Sequence, residues 1–361
     1  GTLTYEDVTN IDSVGLITAR NGIVVGTGIT LRKDGDIFAT GISTFRAGRI
    51  DVGDALLNTS IGELAGDAIT TGYRNAAVGY NALSQNTTGH SNVAIGFNAL
   101  NGNTTTSYNV AIGRDALKVA TAGDNVAVGA NALHANTTRT RNVGLGDNAL
   151  GATTTGSQNT AVGGNNMQAN TTGANNTAVG SGALTANTTA SDNIAVGYQA
   201  LTAYTTGTDN TAVGMQVLKS VTTASNNSGF GDKALTANTS GANNNAFGAN
   251  ALGSNTTGAS NVAMGSGALF TNTTGSLNTA FGHAALEQAT TADSNTAVGQ
   301  AALYANTTGY YGVAIGDRAL AANTTANANV AIGYKALEDN TTTNIHVAIG
   351  FESLKENTTG T

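Results

Sequence analysis

Apolar and polar positions repeat every 17 residues along most of this chain, and one copy, Asn92 to Tyr108, reads NVAIGFNALNGNTTTSY. A fixed period this short predicts a solenoid, in which each copy forms one coil and only stacked neighbours bury a core. Positions are numbered within a copy from its first residue, +0. The copies, 17 in all with a one-residue deletion in the third, begin at residues 75, 92, 109, 125, 142, 159, 176, 193, 210, 227, 244, 261, 278, 295, 312, 329 and 346.

Four positions define the start of each copy. Position +4 is always Gly, +8 is Leu except at Met167, +2 is Ala or Gly, and +3 is always a bulky apolar residue. Because side chains alternate along a strand, the NxA[VI]G segment predicts a strand with +1 and +3 on one face and +2 and +4 on the other. We expect the +3 and +8 columns to fill the core. The fold class is therefore a parallel β-solenoid (a β-roll or β-helix), a straight rod of about 80 Å at ~4.8 Å per coil.

The second half of each copy, GxxALxxNTT, is harder to assign. Adjacent apolar residues at +7 and +8 cannot share one face of a strand, whereas +3, +7 and +8 have helical spacing. The segment is predicted to be a short helical turn, with a second strand as the alternative.

The small +2 column needs an explanation of its own. If the +3 and +8 side chains already fill the core, Ala at +2 indicates close contact with another chain around a shared axis. We therefore expect a homotrimer with Ala94, Ala111, Ala195, Ala263 and their equivalents near that axis.

Two segments precede the array. Residues 1–48 alternate β-branched and polar residues between turn signals, which predicts a separate β-rich segment. Residues 49–74 predict a degenerate coil or cap, because the terminal repeats of solenoids are atypical. The seventeen-copy array occupies 75–361.

The Asn-Thr-Thr motif at +11 to +13 has two interpretations. It is an N-glycosylation acceptor pattern, and it also suits stacked asparagine and threonine ladders at solenoid corners. The +13 Thr persists in four copies that lack the +11 Asn, which favours ladders. Glycosylation on an exposed subset remains the alternative for Asn86, Asn103, Asn136, Asn170, Asn187, Asn238, Asn255, Asn272, Asn306, Asn323, Asn340 and Asn357.

Composition narrows the chemistry. The net charge of −7 is thinly spread and argues against nucleic-acid binding, and no apolar run has the length of a membrane span. Cysteine is absent, which removes disulfides and thiolate ligands. The four histidines occupy different repeat positions, so we expect neither a metal site nor a cofactor. No nucleophile and base stand out from the repeated columns, and the chain is predicted not to be an enzyme.

The best candidates for ligand contact are irregular corners. Arg139 and Arg141 lie in one corner and Tyr310 and Tyr311 in another. Exposed Arg and aromatic residues are typical anchors at binding surfaces, although neutral drift in solvent-facing loops is the favoured explanation of these residues.

The NxA[VI]G array resembles the head domains of trimeric autotransporter adhesins of the YadA type, although its unit is longer. The opening, TYEDVTNIDSVGLITARNGIVVG followed by DIFATGISTF, resembles segments of tail-fibre proteins from cyanophage-like viruses. These resemblances imply an extracellular or virion-surface location and a trimeric β-roll fibre or adhesin.

The leading hypothesis is thus an elongated, non-catalytic shaft that attaches to a cell-surface glycan or protein receptor. The alternative is a filament subunit that polymerises head to tail, because the repeat pattern runs on to Thr361 and another molecule could complete that end. A polysaccharide depolymerase ranks third, since it needs paired carboxylates in a groove.

Overall fold

The computed structural model describes residues 56–138 and 140–358. The chain divides into two compact units, Gly1–Asp51 and Val52–Thr361, and the described residues belong to the second. The predicted segment 1–48 and the beginning of the predicted cap lie outside the described residues. Within the described part there are 18 three-residue strands and no helix. The strands are β1 Thr59–Ile61, β2 Ala76–Val78, β3 Val93–Ile95, β4 Val110–Ile112, β5 Val126–Val128, β6 Val143–Leu145, β7 Thr160–Val162, β8 Thr177–Val179, β9 Ile194–Val196, β10 Thr211–Val213, β11 Ser228–Phe230, β12 Asn245–Phe247, β13 Val262–Met264, β14 Thr279–Phe281, β15 Thr296–Val298, β16 Val313–Ile315, β17 Val330–Ile332 and β18 Val347–Ile349.

All 18 strands form one parallel sheet, in which each strand pairs with the next one along the chain. The register advances by one repeat per strand, so that Ala246 lies opposite Ala263. Across the deletion Ala111 lies opposite Ala127, so the strands stay aligned and the missing residue is absorbed in the turns. Pairing of β1 with β2 shows that residues 58–74 already form a coil. The predicted parallel β-solenoid is confirmed.

The core lies on the +2 face of the sheet, and the prediction that +3 is interior is wrong. From β2 to β18 the middle residue of every strand is buried, whereas +3 residues such as Ile95 and Phe281 are 40% and 52% exposed. The +8 column is interior as expected, with Leu83 to Leu337 fully buried. The bulky +3 column therefore faces outward.

The narrowness of each coil explains this orientation. At Gly144, which replaces the +2 Ala, an added Cβ would lie 3.3 Å from Cγ of Leu133. At Gly229 it would lie 2.4 Å from Cγ1 of Val217. The +7 and +8 side chains thus press against the +2 position and leave room for little more than a methyl group.

This packing also corrects the predicted trimer axis. Ala94, Ala111, Ala195 and Ala263 are fully buried inside a single chain, so they cannot line a contact between chains. Their small size follows from the packing of their own coil.

The GxxALxxNTT segment consists of turns and bends, so neither the predicted helical turn nor a second strand forms. The +8 residues adopt left-handed backbone conformations, with φ between 46° and 54°. Such a conformation costs an L-residue about 1–2 kcal/mol, which burial of the Leu side chain offsets. The N–H of Leu235, for example, donates to the carbonyl of Ala251 in the next coil at 3.0 Å.

Close approach of neighbouring coils explains the invariant Gly at +4. Its φ lies between 112° and 142°, and in all coils before the last an added Cβ would lie 2.2–3.0 Å from backbone atoms of the next coil's Gly. Any side chain here would clash with backbone that has no freedom to move.

Two columns of buried asparagines hydrogen-bond the coils from inside. At +0, the backbone N–H and Nδ2 of Asn261 both donate to Oδ1 of Asn244, at 3.0 and 3.1 Å, and Nδ2 also donates to the carbonyl of Gly275 at 2.8 Å. At +11, Nδ2 of Asn255 donates to Oδ1 of Asn238 at 3.0 Å. Buried amides need such partners because an unpaired polar group costs about 1–3 kcal/mol.

Threonines at +12 form the matching ladder nearer the surface. The Thr256 hydroxyl donates to the carbonyl of Thr273 at 2.8 Å, and the same bond recurs along the array. The predicted Asn/Thr ladders are confirmed.

Candidate functional site

The outward side of the sheet is the most distinctive surface of the described solenoid. We call the +1 and +3 residues of β2 to β18 the outer face. Its +3 column is apolar in all 17 coils, and its +1 column contains only Val, Ile, Ala, Thr, Ser and Asn. None of these 34 positions carries a charge. A sheet exposed to water on one side normally alternates to polar residues on that side, so a face with 27 apolar residues, seven Thr, Ser or Asn residues and no charge is unusual.

The outer face is large because the columns are unbroken. Strand spacings of ~4.8 Å over the array and a width of about 10 Å give an exposed surface of roughly 800 Å². Seven +1 residues are Thr, Ser or Asn, so the continuous apolar part of this area is the +3 column with its apolar +1 neighbours; the largest apolar patches on monomeric proteins cover about 300–600 Å².

Aromatic rings concentrate in the middle of the outer face. The rings of Phe230 and Phe247 stack in neighbouring strands, with centroids 4.7 Å apart and planes 6° from parallel. Met264 and Phe281 continue the same column and are 36% and 52% exposed. Four consecutive coils therefore present a large, flat apolar surface.

Tyr310 and Tyr311, singled out from the sequence, lie together at an exposed corner. Their ring centroids are 5.1 Å apart with planes at 88°, and the side chains are 46% and 62% exposed. Arg141 is also exposed but lies ten coils away, about 48 Å along the solenoid at ~4.8 Å per coil. Arg139 lies outside the described residues. The predicted corner residues thus do not form one site.

A second aromatic group on the same corner escaped the sequence analysis. Tyr73 stacks on His90 with centroids 4.7 Å apart, and His90 meets the edge of Tyr108 at 5.0 Å. The Arg74 guanidinium lies 5.6 Å from the centroid of the Tyr73 ring. Aligning positions +15 and +16 across the copies would have found this group, because both positions are small or polar in most coils.

Burial excludes glycans from most of the asparagines in the Asn-Thr-Thr motifs. All those from Asn86 to Asn340 are 0–2% exposed, and a glycan on Nδ2 would need space that neighbouring coils occupy. The glycosylation prediction is therefore incompatible with this fold at Asn86, Asn103, Asn136, Asn170, Asn187, Asn238, Asn255, Asn272, Asn306, Asn323 and Asn340. At Asn357, which is partly exposed, it stays a prediction.

Charged side chains form two small surface groups. Asp115 accepts from Arg114 at 3.2 Å, from Lys118 at 3.1 Å and from Asn98 at 3.2 Å. Burial would raise the pKa of Asp115, but these hydrogen bonds and positive charges outweigh it and hold the pKa below its usual value. Glu338 lies 3.6 Å from Lys335 in a similar group. In both groups basic side chains surround a carboxylate that its neighbours largely cover, since the side chains of Asp115 and Glu338 are 10% and 13% exposed.

A buried tyrosine replaces asparagine in one coil of the +11 column. The Tyr204 hydroxyl accepts from Nδ2 of Asn210 at 2.5 Å and donates to the carbonyl of Ala224 at 3.3 Å. Burial raises the pKa of Tyr204. Ala224 lies at +14 of the next coil, where its carbonyl would be bonded by a +11 asparagine, as in other coils, but this coil has Val221 at +11; the hydroxyl supplies that bond, a structural role.

Among residues 56–138 and 140–358, no three His, Asp or Glu side chains gather as metal ligands would. No helix with the length and apolar character of a membrane span occurs in this part of the chain either. In comparisons with known proteins, no family model matches the chain and no curated protein is significantly similar to it.

Proposed function

We propose that this chain is the shaft of an attachment fibre on a cell or virion surface, and that it works as a rigid, non-catalytic spacer. Each coil is bonded to the next through its backbone, its buried asparagines and its threonines, which suits a load-transmitting rod. The observation that carries the proposal is the uncharged outer face, because a freestanding shaft has no use for so much exposed apolar surface.

In this proposal the outer face packs against other copies of the same chain. A stable interface buries about 800 Å² per partner, close to the size of the whole outer face, which each chain of a cyclic assembly would share between its two neighbours. Identical chains have the same strand spacing, so the outer-face columns of two chains can align along their whole length. Without charges, the face also meets its own copy without electrostatic repulsion. Closed cyclic symmetry is the usual form of such self-association, and the resemblance to trimeric adhesins favours three copies.

Sedimentation equilibrium of the full chain tests this assembly. We expect a mass of three times the chain mass of 35.8 kDa, independent of concentration in the micromolar range. The double variant Phe247→Lys/Phe281→Lys should sediment as a folded monomer, because both side chains are partly exposed and a lysine there extends its ammonium group into water.

The matched control is Thr257→Lys/Thr274→Lys, which adds the same charge at exposed +13 positions of nearby coils and should remain assembled. A monomeric wild-type chain would refute the proposal, and so would equal assembly of the two double variants. A mass that grows steadily with concentration would favour the head-to-tail filament instead.

A further inference from the structure

The corner that holds Tyr310 and Tyr311 is a cleft between two coils. It has a volume of ≈300 Å³ and is lined by Thr291 and Asp293 from one coil and by Thr308, Tyr310 and Tyr311 from the next. From this cleft we infer a binding site for a neutral carbohydrate. The inference rests on the proposed attachment function and specifies the ligand that one of its corners would hold.

Hydrogen bonds hold the backbone that carries the two rings of the cleft. The N–H of Tyr311 donates to the carbonyl of Asp293 at 3.3 Å, and the N–H of Tyr310 donates to Oδ1 of Asn327 at 2.9 Å. The rings also pack edge to face, with centroids 5.1 Å apart, which restricts their rotation and gives the cleft two perpendicular aromatic walls. Preorganised aromatic side chains bind ligands at a low entropic cost.

The polar side of the cleft is equally ordered. Oδ1 of Asp293 accepts from the N–H of Ser276 at 2.6 Å, which orients the carboxylate. A carboxylate has about four lone-pair sites, so its second oxygen can accept hydrogen bonds from a ligand. The exposed side chains of Thr291 and Thr308 add hydroxyl groups that both donate and accept.

A sugar ring fits this combination of groups. Its C–H face is apolar and stacks on an aromatic ring, while its hydroxyls lie at the ring edge and bond to carboxylate and hydroxyl groups. No Lys or Arg lines the cleft, and its one charged residue is acidic, which disfavours phosphate, sulfate and sialic acid groups. The second aromatic group on this corner, around Tyr73, has an arginine in place of the acid and is therefore a different surface.

The cleft is restricted to these two coils, because most other coils have smaller side chains at this corner. In most copies the +15 position holds Ser, Thr, Ala or Gly, and only the 295–311 copy has tyrosine at both +15 and +16. Other coils form the same corner without aromatic residues, so the fold of the corner does not require the two tyrosines.

Saturation-transfer NMR with the full chain tests the inference. The probes are neutral di- and trisaccharides built from glucose, galactose, mannose or N-acetylglucosamine, with sialyllactose and a heparin tetrasaccharide as anionic probes. We expect saturable binding of at least one neutral sugar. Tyr311→Ala and Asp293→Ala should each weaken it at least tenfold, whereas Tyr311→Phe retains the ring and should bind within threefold of wild type.

The control variant is Tyr198→Ala, which removes an exposed tyrosine from another column and should leave binding unchanged. Circular dichroism confirms that each variant is folded. The inference is overturned if no neutral sugar binds, if an anionic probe binds more tightly, or if Tyr311→Ala binds like wild type. Sedimentation of the same samples separates the two proposals, because an assembled chain that binds no neutral sugar refutes only the site.

Discussion

Replacement of Leu235 tests both the interior position of the +8 column and its left-handed backbone. The Leu235 side chain is fully buried and its φ is 53°. Leu235→Ala removes most of a buried side chain between coils that hydrogen bonds keep at a fixed spacing, so the site cannot collapse. We expect a loss of about 3 kcal/mol of unfolding free energy, within the 2–5 kcal/mol known for such changes.

A second substitution isolates the backbone contribution. Going on from Leu235→Ala to Leu235→Gly removes one more methyl group and adds unfolded-state entropy, at a cost of about 1–2 kcal/mol. It also relieves about 1–2 kcal/mol of left-handed strain, so we expect the Ala and Gly variants to be about equally stable. The control is Ala251→Gly, a buried +7 position without positive φ, where the same step should cost the full 1–2 kcal/mol.

Urea unfolding followed by circular dichroism, with hydrogen exchange to locate the loss, measures these differences. A Leu235→Ala variant as stable as wild type would show that the column is not interior. If the Ala-to-Gly step costs as much at Leu235 as at Ala251, the left-handed conformation has been assigned wrongly.

Three further predictions address the contacts between coils. Gly248→Ala should lower stability in urea unfolding by at least about 2 kcal/mol more than Gly350→Ala. Both alanines carry the strain of a positive φ, but nothing lies closer than 4.0 Å to an added Cβ at 350, whereas at 248 it meets the next coil's backbone; equal losses would refute the steric explanation. Asn261→Ala breaks the +0 ladder and should cost about 2–4 kcal/mol in the same assay, whereas Asn245→Ala on the outer face should cost less than about 1 kcal/mol. The pKa of Asp115 is lowered in the folded state, so its stabilising contribution is present above the unfolded pKa of about 3.9 and is lost as pH falls through the folded pKa. The melting temperature of an Asp115→Asn variant should therefore fall less between pH 5 and pH 2.5 than that of wild type, and parallel curves would contradict this.

The repeat itself made the coil predictable, because invariant Gly at +4 and nearly invariant Leu at +8 define one structural unit per copy. The first coil, residues 58–74, shows the limit of predicting coils from these invariant residues alone. The coil formed by residues 58–74 retains Asn58 and Gly62 at +0 and +4, but it has Gly66 where later copies have Leu.

Which face of each strand lies in the interior could not be predicted, because the alternation of side chains defines two faces without showing which one is buried. We assigned the bulkier face to the interior, the usual rule for globular cores. In this narrow coil the turn residues occupy the interior, so only Ala or Gly fits opposite them, as the contacts at Gly229 show. The aromatic cleft was equally hidden, because Asp293 and Tyr311 lie 18 residues apart and meet only through coil stacking.

Thiol accessibility at two adjacent strand residues tests the central claim most directly, since the chain has no cysteine of its own. Ala263→Cys and Met264→Cys are made separately in the Phe247→Lys/Phe281→Lys background, where the outer face is free, and their reaction with a thiol reagent is timed in native buffer. The account predicts that Met264→Cys reacts nearly as fast as in denaturant, whereas Ala263→Cys reacts at least about 100-fold more slowly, which corresponds to a local opening cost of about 3 kcal/mol. Equal rates, or a faster reaction at Ala263→Cys, would contradict the account.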